Sequence, residues 1–338
     1  MKAISLLSTS LAVGMLACTS EETLTEPSSR PSLARAAQTA YTAVDLGSLA
    51  GDFGYSFASD INPAGEVVGQ SQTAFNASEA HAVLWTKDGM TDLGTLGGNF
   101  SQALGINPAG EVVGWSFILP PSPANAKHAI LWKNGVMTDL GTLGGRESVA
   151  WDINPRGQVV GISQIAEGVS APNVFLWDKG VMTDLGFEPY TSEHPVGINP
   201  SGRVVGGGKL WTNGVVTELG SLGGCCTSAN AINSAGQVVG LSYLPGNEVY
   251  HAFLWDKGVM TDLGTLGETS EARDINSKGQ IVGTSGNRAF VWENGVMTEL
   301  ISLDSRFSSQ AEAINPAGEI VGYSNTERGF RATLWTRK

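Results

Sequence analysis

Short apolar runs separated by turn-forming residues recur from about residue 41 to the end of the chain. One stretch displays the pattern. Val149–Asn154, Gln158–Ser163, Asn173–Trp177 and Val181–Gly186 are each brief, rich in Val, Ile, Leu or aromatic side chains, and bounded by Gly, Pro or Asn. Such runs predict β-strands, here called A, B, C and D. The A–B link is Asn154-Pro155-Arg156-Gly157. Pro presets φ at the second turn position, the Asn side chain bonds the nearby backbone, and Gly accepts the left-handed conformation. The C–D link, Asp178-Lys179-Gly180, is as tight, and its counterparts Asn134-Gly135, Asn213-Gly214 and Asn294-Gly295 carry a hairpin signal. Tight hairpins force antiparallel neighbours, so the stretch predicts a four-stranded meander.

The meander repeats. An Ile-Asn pair followed by a turn and Gly recurs with Asn at 62, 107, 154, 199, 233, 276 and 315, at spacings of 45, 47, 45, 34, 43 and 39 residues. A Trp closes strand C in every unit, at 85, 132, 177, 211, 255, 292 and 335, and an Asp/Glu-Leu pair recurs at 45, 92, 139, 184, 218, 262 and 299. Roughly 40–45 residues per four-stranded unit is a propeller period. The expected fold is all-β, a seven-bladed β-propeller of four-stranded antiparallel blades. The chain enters the repeat with Tyr41-Thr42-Ala43-Val44-Asp45-Leu46-Gly47, which matches strand D, and stops at Trp335-Thr336-Arg337-Lys338, just after a strand C. The N-terminal strand is therefore expected to complete the last blade and remove both open edges. Within strand A, the position three before the Ile is mostly Ala (58, 103, 150, 229, 272, 311), and the position just before it is Asp60, Gly105, Asp152, Gly197, Ala231, Asp274 or Ala313. Strict alternation puts both columns on one face, close to the axis.

Ahead of the repeat, residues 1–17 read as a signal peptide: Lys2, then a short, mostly apolar run ending in Met15-Leu16-Ala17-Cys18. That tetrapeptide resembles the bacterial lipobox. The resemblance implies lipidation of Cys18 and, because Thr19 rather than Asp follows it, export to the outer membrane. The alternative is an ordinary secretory signal and a soluble secreted product. Residues 18–40 are Ser, Thr, Glu, Pro and Ala with little apolar content, which predicts a flexible tether before a propeller over 41–338. No run reaches the ~20 apolar residues of a membrane-spanning helix.

Strand C of the fifth unit, His251-Ala252-Phe253-Leu254-Trp255, followed by Asp262-Leu263-Gly264-Thr265-Leu266-Gly267, closely resembles the bacterial HAF-repeat family. The Ile-Asn-x-x-Gly and Val-Val-Gly elements of the units resemble it too, over residues 41 to 338. The resemblance implies an extracellular repeat protein and brings no catalytic residues. The fourth unit departs from it, being short at Gly206-Gly207-Gly208-Lys209 and lacking the His.

Charge narrows the partners. The net charge is −12, and no Lys/Arg cluster occurs anywhere, so the long-range field repels phosphate backbones and excludes nucleic acid. All A–B and C–D links are tight and share one face of the disc. The D–A and B–C links on the opposite face vary, and variable loops on a rigid scaffold are where binding resides. The seven repeat Trp residues read as core between blades. Trp115 and Trp151 have no counterpart in other units; Trp115 leads into Phe117-Ile118-Leu119-Pro120-Pro121, the most apolar loop. Trp115, Phe117 and Trp151 are candidate ligand-binding residues, with Tyr250 at the head of a strand C. Cys225 and Cys226 join them in a D–A loop, either as free thiols or as a vicinal disulfide forming a flat platform.

His81, His128 and His251 share one repeat position, but blade-equivalent sites away from the axis are too far apart for ~2 Å ligand bonds, so no metal site is expected. A hydrogen-bonding role at the start of strand C accounts for them. Asp60, Asp152 and Asp274 would ring the channel by symmetry alone. No catalytic constellation is legible and no cofactor is called for. The expected function is a non-catalytic, surface-tethered binding or scaffolding propeller. It would recognise a protein or polysaccharide of the cell envelope through its B–C and D–A loop face, touching the membrane through its lipid only. The alternatives are a glycan-active hydrolase or lyase with acids in the channel, and a purely structural envelope component.

Overall fold

A computed structural model of the chain describes residues 41–119, 126–169, 171–189 and 196–338. The signal peptide, the tether with Cys18, and Pro120-Pro121 lie outside the described residues. In the third unit the strands are Ser148–Ile153, Val159–Gln164, Pro172–Asp178 and Val181–Asp184, paired antiparallel in chain order. The same four-stranded antiparallel order recurs along the chain. The strands of residues 56–94 and 97–139 are joined into one eight-stranded sheet by a single parallel pair, Ala80 with Phe100. The N-terminal strand Tyr41–Asp45 pairs antiparallel with Gly329–Arg337, Tyr41 lying opposite Arg337 and Asp45 opposite Thr333. No helix among the described residues is long and apolar enough to cross a membrane.

The hairpins obey their chemistry. Asn134 and Gly135 both take positive φ, 52° and 83°, as a two-residue hairpin turn with the strands' own twist requires. Strand A departs from strict alternation. In six units its register slips by one residue, as where Ala150 faces Gly161 but Asp152 faces Val160, leaving Trp151 as the extra residue of a β-bulge. The expectation that Ala58 and Asp60 share a face is therefore corrected: Phe57 and Asp60 lie on one face and Ala58 and Ile61 on the other, with Ser59 between them. The bulge also explains Val-Val-Gly, since a Cβ on Gly69 would sit 1.9 Å from the carbonyl oxygen of Phe57.

The repeated Asn is the hub of the A–B turn. The Asn62 Oδ1 accepts the N–H groups of Ala64 and Glu66, both at 3.0 Å, while its Nδ2 donates to Glu66 Oε2 at 2.7 Å. That Nδ2 also donates to the carbonyl of Asn107 in the next unit. Asn107 does the same to Asn154, and so on through Asn199, Asn233, Asn276 and Asn315. Asn315 returns to Asn62, every link measuring between 3.1 and 3.4 Å. The amides form a closed cycle.

Apolar burial follows the same connectivity. Buried side chains gather in clusters shared by consecutive units: Val68, Ala82 and Leu93 pack with Ala103, Ile106 and Val112, and Ala313, Val321 and Ala332 of the last unit pack with Ala58, Ile61 and Trp85 of the first. Each repeat Trp belongs to such a cluster, fully buried at Trp335 and half-buried at Trp132 and Trp177. Serines tie neighbouring sheets. The Ser101, Ser148 and Ser270 hydroxyls accept the N–H of Ala82, Ala129 and Ala252 in the preceding unit, at 2.8–2.9 Å, and Ser56 accepts that of Ala332.

Candidate functional site

The bulge column points inward. Ser59, Leu104, Trp151, Val196, Asn230, Arg273 and Glu312 occupy one repeat position, and all seven line a single cavity of about 560 Å³. Phe57, Gln102 and Val149 from the start of strand A, and Gln70, Trp115 and Tyr323 from the end of strand B, complete its wall. These starts and ends lie toward the D–A and B–C links; the Asn cycle occupies the opposite, tight-turn end. The cavity volume falls in the range typical of small-ligand sites.

One side of the wall is aromatic. Trp115 and Trp151 are half-buried, and the indole of Trp115 donates to Gln102 Oε1 at 3.2 Å, with Lys127 Nζ 5.6 Å from its ring centre. Phe57 stands edge-on to Tyr323 at 5.1 Å. The other side is polar. Arg273 Nη1 lies 3.4 Å from Glu271 Oε1, and Arg273 Nε lies 3.9 Å from Glu312 Oε2. Asn230 Nδ2 donates to Glu271 Oε1 at 2.9 Å, and the Tyr323 hydroxyl donates to Gln310 Oε1 at 2.7 Å. Burial raises the Glu312 carboxyl against the pull of Arg273. It also raises the Tyr323 hydroxyl, helped by the Glu312 charge.

Asp60, Asp152 and Asp274 form the floor. Each carboxylate spans two units: Asp60 accepts Ile61 N–H at 2.7 Å and Ile106 N–H at 2.8 Å, Asp152 accepts Ile153 and Ile198, and Asp274 accepts Ile275 and Ile314. Desolvation, then the charges of Asp152 and Asp274, push Asp60 up to about 8. Desolvation pushes Asp152 up to about 6, and raises Asp274. Two backbone donors per carboxylate pull the other way and fall short. No group of three or more His, Cys, Asp or Glu that could hold a metal ion occurs among the described residues.

Of the residues singled out from sequence, Trp115 and Trp151 meet in this cavity. Phe117 does not line it but backs Trp115, ring to ring at 5.3 Å. Tyr250 stands opposite Tyr243, ring centres 5.5 Å apart, and does not line the cavity. Cys225 and Cys226 are joined as a vicinal disulfide, with Cys225 exposed and its N–H donating to Asn247 Oδ1 at 2.7 Å; the pair lies apart from the cavity. The repeated His serves its own hairpin: His81, His128 and His251 Nδ1 contact Asp92, Asp139 and Asp262 at 2.8–2.9 Å. Arg273, Glu312, Asn230 and Tyr323 escaped the sequence reading. For Asn230, Arg273 and Glu312 the signal was present: the column two before the repeated Ile holds a different residue in every unit, whereas Tyr323 comes from the end of strand B.

Repeated four-stranded antiparallel sheets that share cores with their chain neighbours define a β-propeller domain. No protein-family model matches the chain, and no curated protein matches it. Among solved structures the chain is similar to the β-propeller domain of the trilobed protease from Pyrococcus furiosus, a domain of open velcro topology. The identity is 10%, the TM-score 0.61, and the match covers 84% of this chain and 96% of that one. Likenesses below a TM-score of 0.5 include a gluconolactonase from Xanthomonas campestris, at 9% identity, TM-score 0.47 and coverage of 88% and 90%. Another is a Trypanosoma rangeli sialidase, at 11% identity, TM-score 0.43 and coverage of 87% and 59%. At these identities the likeness bears on the fold alone.

Proposed function

We propose that the chain is a seven-bladed propeller of the HAF-repeat class, exported and tethered by a lipid on Cys18, which binds a polysaccharide segment at the mouth of its channel without acting on it. Three features support seven blades in a closed ring: the cycle of Asn amides, the core shared by the last and first units, and the pairing of Tyr41–Asp45 with Gly329–Arg337. The eight-stranded sheet is then two blades bridged at one residue pair.

The observation that carries the binding function is a contrast between columns. Framework positions hold Ile, Asn, Gly, Ser or Trp in nearly every unit, whereas the column aimed into the cavity holds Ser, Leu, Trp, Val, Asn, Arg and Glu. Packing alone has no use for such variety around one opening. An aromatic wall facing amide, guanidinium and carboxylate groups suits a sugar, whose C–H face stacks on an indole while its hydroxyls pair with planar polar groups. Contact comes from strands A and B more than from the loops, on the loop-bearing face.

The test is a screen of the full chain against envelope and plant glycans, repeated with Trp115→Ala and Trp151→Ala. Each substitution is expected to weaken binding at least about tenfold, in line with lost aromatic contact. Unchanged binding by the double variant, or loss caused only by substitutions on the tight-turn face, refutes the reading. One observation favours a second reading, a hydrolase or lyase: Asp60, Asp152 and Glu312 are acids held up by burial inside a cleft. New chain ends released from a bound polysaccharide, and lost in Glu312→Gln, would favour catalysis over binding.

A further inference from the structure

The tight turns, at the far end of the sheets from the cavity mouth, carry a charge pattern of their own. Lys87, Lys133, Lys179 and Lys257 stand in C–D turns, and Arg156 and Lys278 share one place in A–B turns, all of them exposed. The last strand C brings Arg337 and Lys338, also exposed, to the same end. These cations are scattered along the sequence, and the repeat gathers them. The carboxylates at this end are turned in on the framework. Glu66, Glu111 and Glu319 accept the amides of Asn62, Asn107 and Asn315, and Asp178, Asp256 and Glu293 accept those of Gln158, Gln237 and Gln280. Asp88 is the single exposed carboxylate among the described residues of these turns. Lys133 reaches Glu111 and Arg337 reaches Glu293. Lys87, Arg156, Lys179, Lys257 and Lys278 form no ion pair among the described residues. A chain of net charge −12 thus presents cations at one end. Apolar side chains accompany them: Val136, Val181, Val215, Val259 and Val296 each directly follow a C–D turn and are between 45% and 65% exposed.

Resting on the reading of Cys18 as a lipid anchor, we infer that this end is a membrane-contacting surface. Its lysines meet the phosphates of an anionic bilayer and its valines lie at the headgroup boundary. Tyr41 lies at this end, opposite Arg337, so a tether leading from Cys18 joins the propeller on the side of the cations. Charge complementarity selects anionic lipid, because cations beside exposed aliphatic side chains suit phosphates laid over hydrocarbon. An acidic polymer in solution would use the cations and leave the valines in water. The consequence is orientation. The cavity opens toward the D–A and B–C links, so contact through the tight turns points its mouth away from the bilayer and toward incoming ligand. A lipid alone fixes no such orientation.

The experiment is co-sedimentation with vesicles of the mature chain, residues 18–338, carrying Cys18→Ser so that no lipid is attached. The vesicles are phosphatidylcholine alone or an equal mixture with phosphatidylglycerol. Binding is expected to the mixed vesicles only, and to weaken as salt rises. The repeat itself supplies variants that respect the turns. Arg156→Ala, Lys278→Ala, Lys179→Asn and Lys257→Asn each install a residue that other units hold there, as at Ala64 and Asn134. Each cation near an anionic surface is worth about fivefold, so the quadruple variant should bind at least about tenfold more weakly, the tucked carboxylates offsetting part of the loss. Val181→Thr with Val259→Thr, after Thr42 at the same repeat position, should weaken binding by a smaller factor. No binding to mixed vesicles, equal binding to neutral ones, binding indifferent to salt, or unchanged binding by either variant overturns the inference. So does capture by a soluble acidic polysaccharide without vesicle binding. The mass of the N-terminal peptide of the exported chain scores the lipid on Cys18 separately, so either reading can fail alone. The comparison of vesicles and salt on the unaltered surface holds even if a variant does not fold.

Discussion

Replacing Asn315 by Ala opens the amide cycle at the link between the last unit and the first, and its cost follows from the bonds removed. The side chain is 1% exposed. Its Oδ1 accepts Ala317 N–H at 3.0 Å, Gly318 N–H at 3.1 Å and Glu319 N–H at 3.0 Å, and its Nδ2 donates to Glu319 Oε2 at 2.6 Å and to the Asn62 carbonyl at 3.3 Å. Two of these partners keep a second bond after truncation, because Gly318 N–H also reaches the Asn315 carbonyl and the Asn62 carbonyl also takes Gly65 N–H. The Ala317 and Glu319 N–H groups are left without an acceptor. At about 1–3 kcal/mol for each stranded donor, the expected loss is about 3 kcal/mol, read as a lower urea midpoint at unchanged slope. Asp at the same position keeps the acceptor, loses both donors and sets a carboxylate against that of Glu319. Asn199 supplies the control. Its residue four places on is Arg203, so Asn199→Asp meets no carboxylate and should cost about 1–2 kcal/mol less than Asn315→Asp. A neutral Asn315→Ala in a folded chain, or equal costs for the two Asp variants, would refute the reasoning.

The floor carboxylates make stability depend on pH. Asp60 sits at about 8 in the fold against about 3.9 in an unfolded chain, so between those values the fold holds a proton that the unfolded state has released. Stability from this group is therefore full below about pH 4, falls as pH rises to about 8, and is flat beyond, a trend that Asp60→Asn should flatten when urea midpoints are compared across that window. Gly240→Ala should destabilise by more than about 3 kcal/mol or block folding, since the new Cβ meets the Ser228 carbonyl oxygen at 1.9 Å. Gly206→Ala meets only a Val196 methyl at 2.6 Å and should cost less, a difference that expression and thermal melting would reveal. A non-reduced digest should yield the Cys225-Cys226 peptide lighter by two hydrogens than after reduction; two free thiols would contradict the disulfide.

What could be read from sequence and what could not divide along one physical line. Turn chemistry acts within a few residues, so Asn-Gly and Asn-Pro-x-Gly announced their hairpins, and an unmatched strand at each end announced the pairing of Tyr41–Asp45 with Gly329–Arg337. The bulge is different. It arises where strand A must meet both strand B and the neighbouring sheet, and a one-residue slip reverses the face on which every later side chain lies. Alternation therefore drew attention to the Ala58 and Asp60 columns and not to the column between them, from which Trp151 stood out as a lone aromatic while Arg273 did not. The inter-unit bonds were hidden for the same reason: Asn62 with Asn107 and Ser101 with Ala82 are contacts between meanders, and each meander taken alone explains its Asn and Ser as turn residues. A repeat advertises what every unit needs for its own fold. The column on which the units disagree serves neither the turn nor the ladder, and in this chain its members face one opening. Grafting Ser59 into position 151 or 273 should thus leave the sheets intact and empty the site, because nothing in the ladder pairs with the bulge residue.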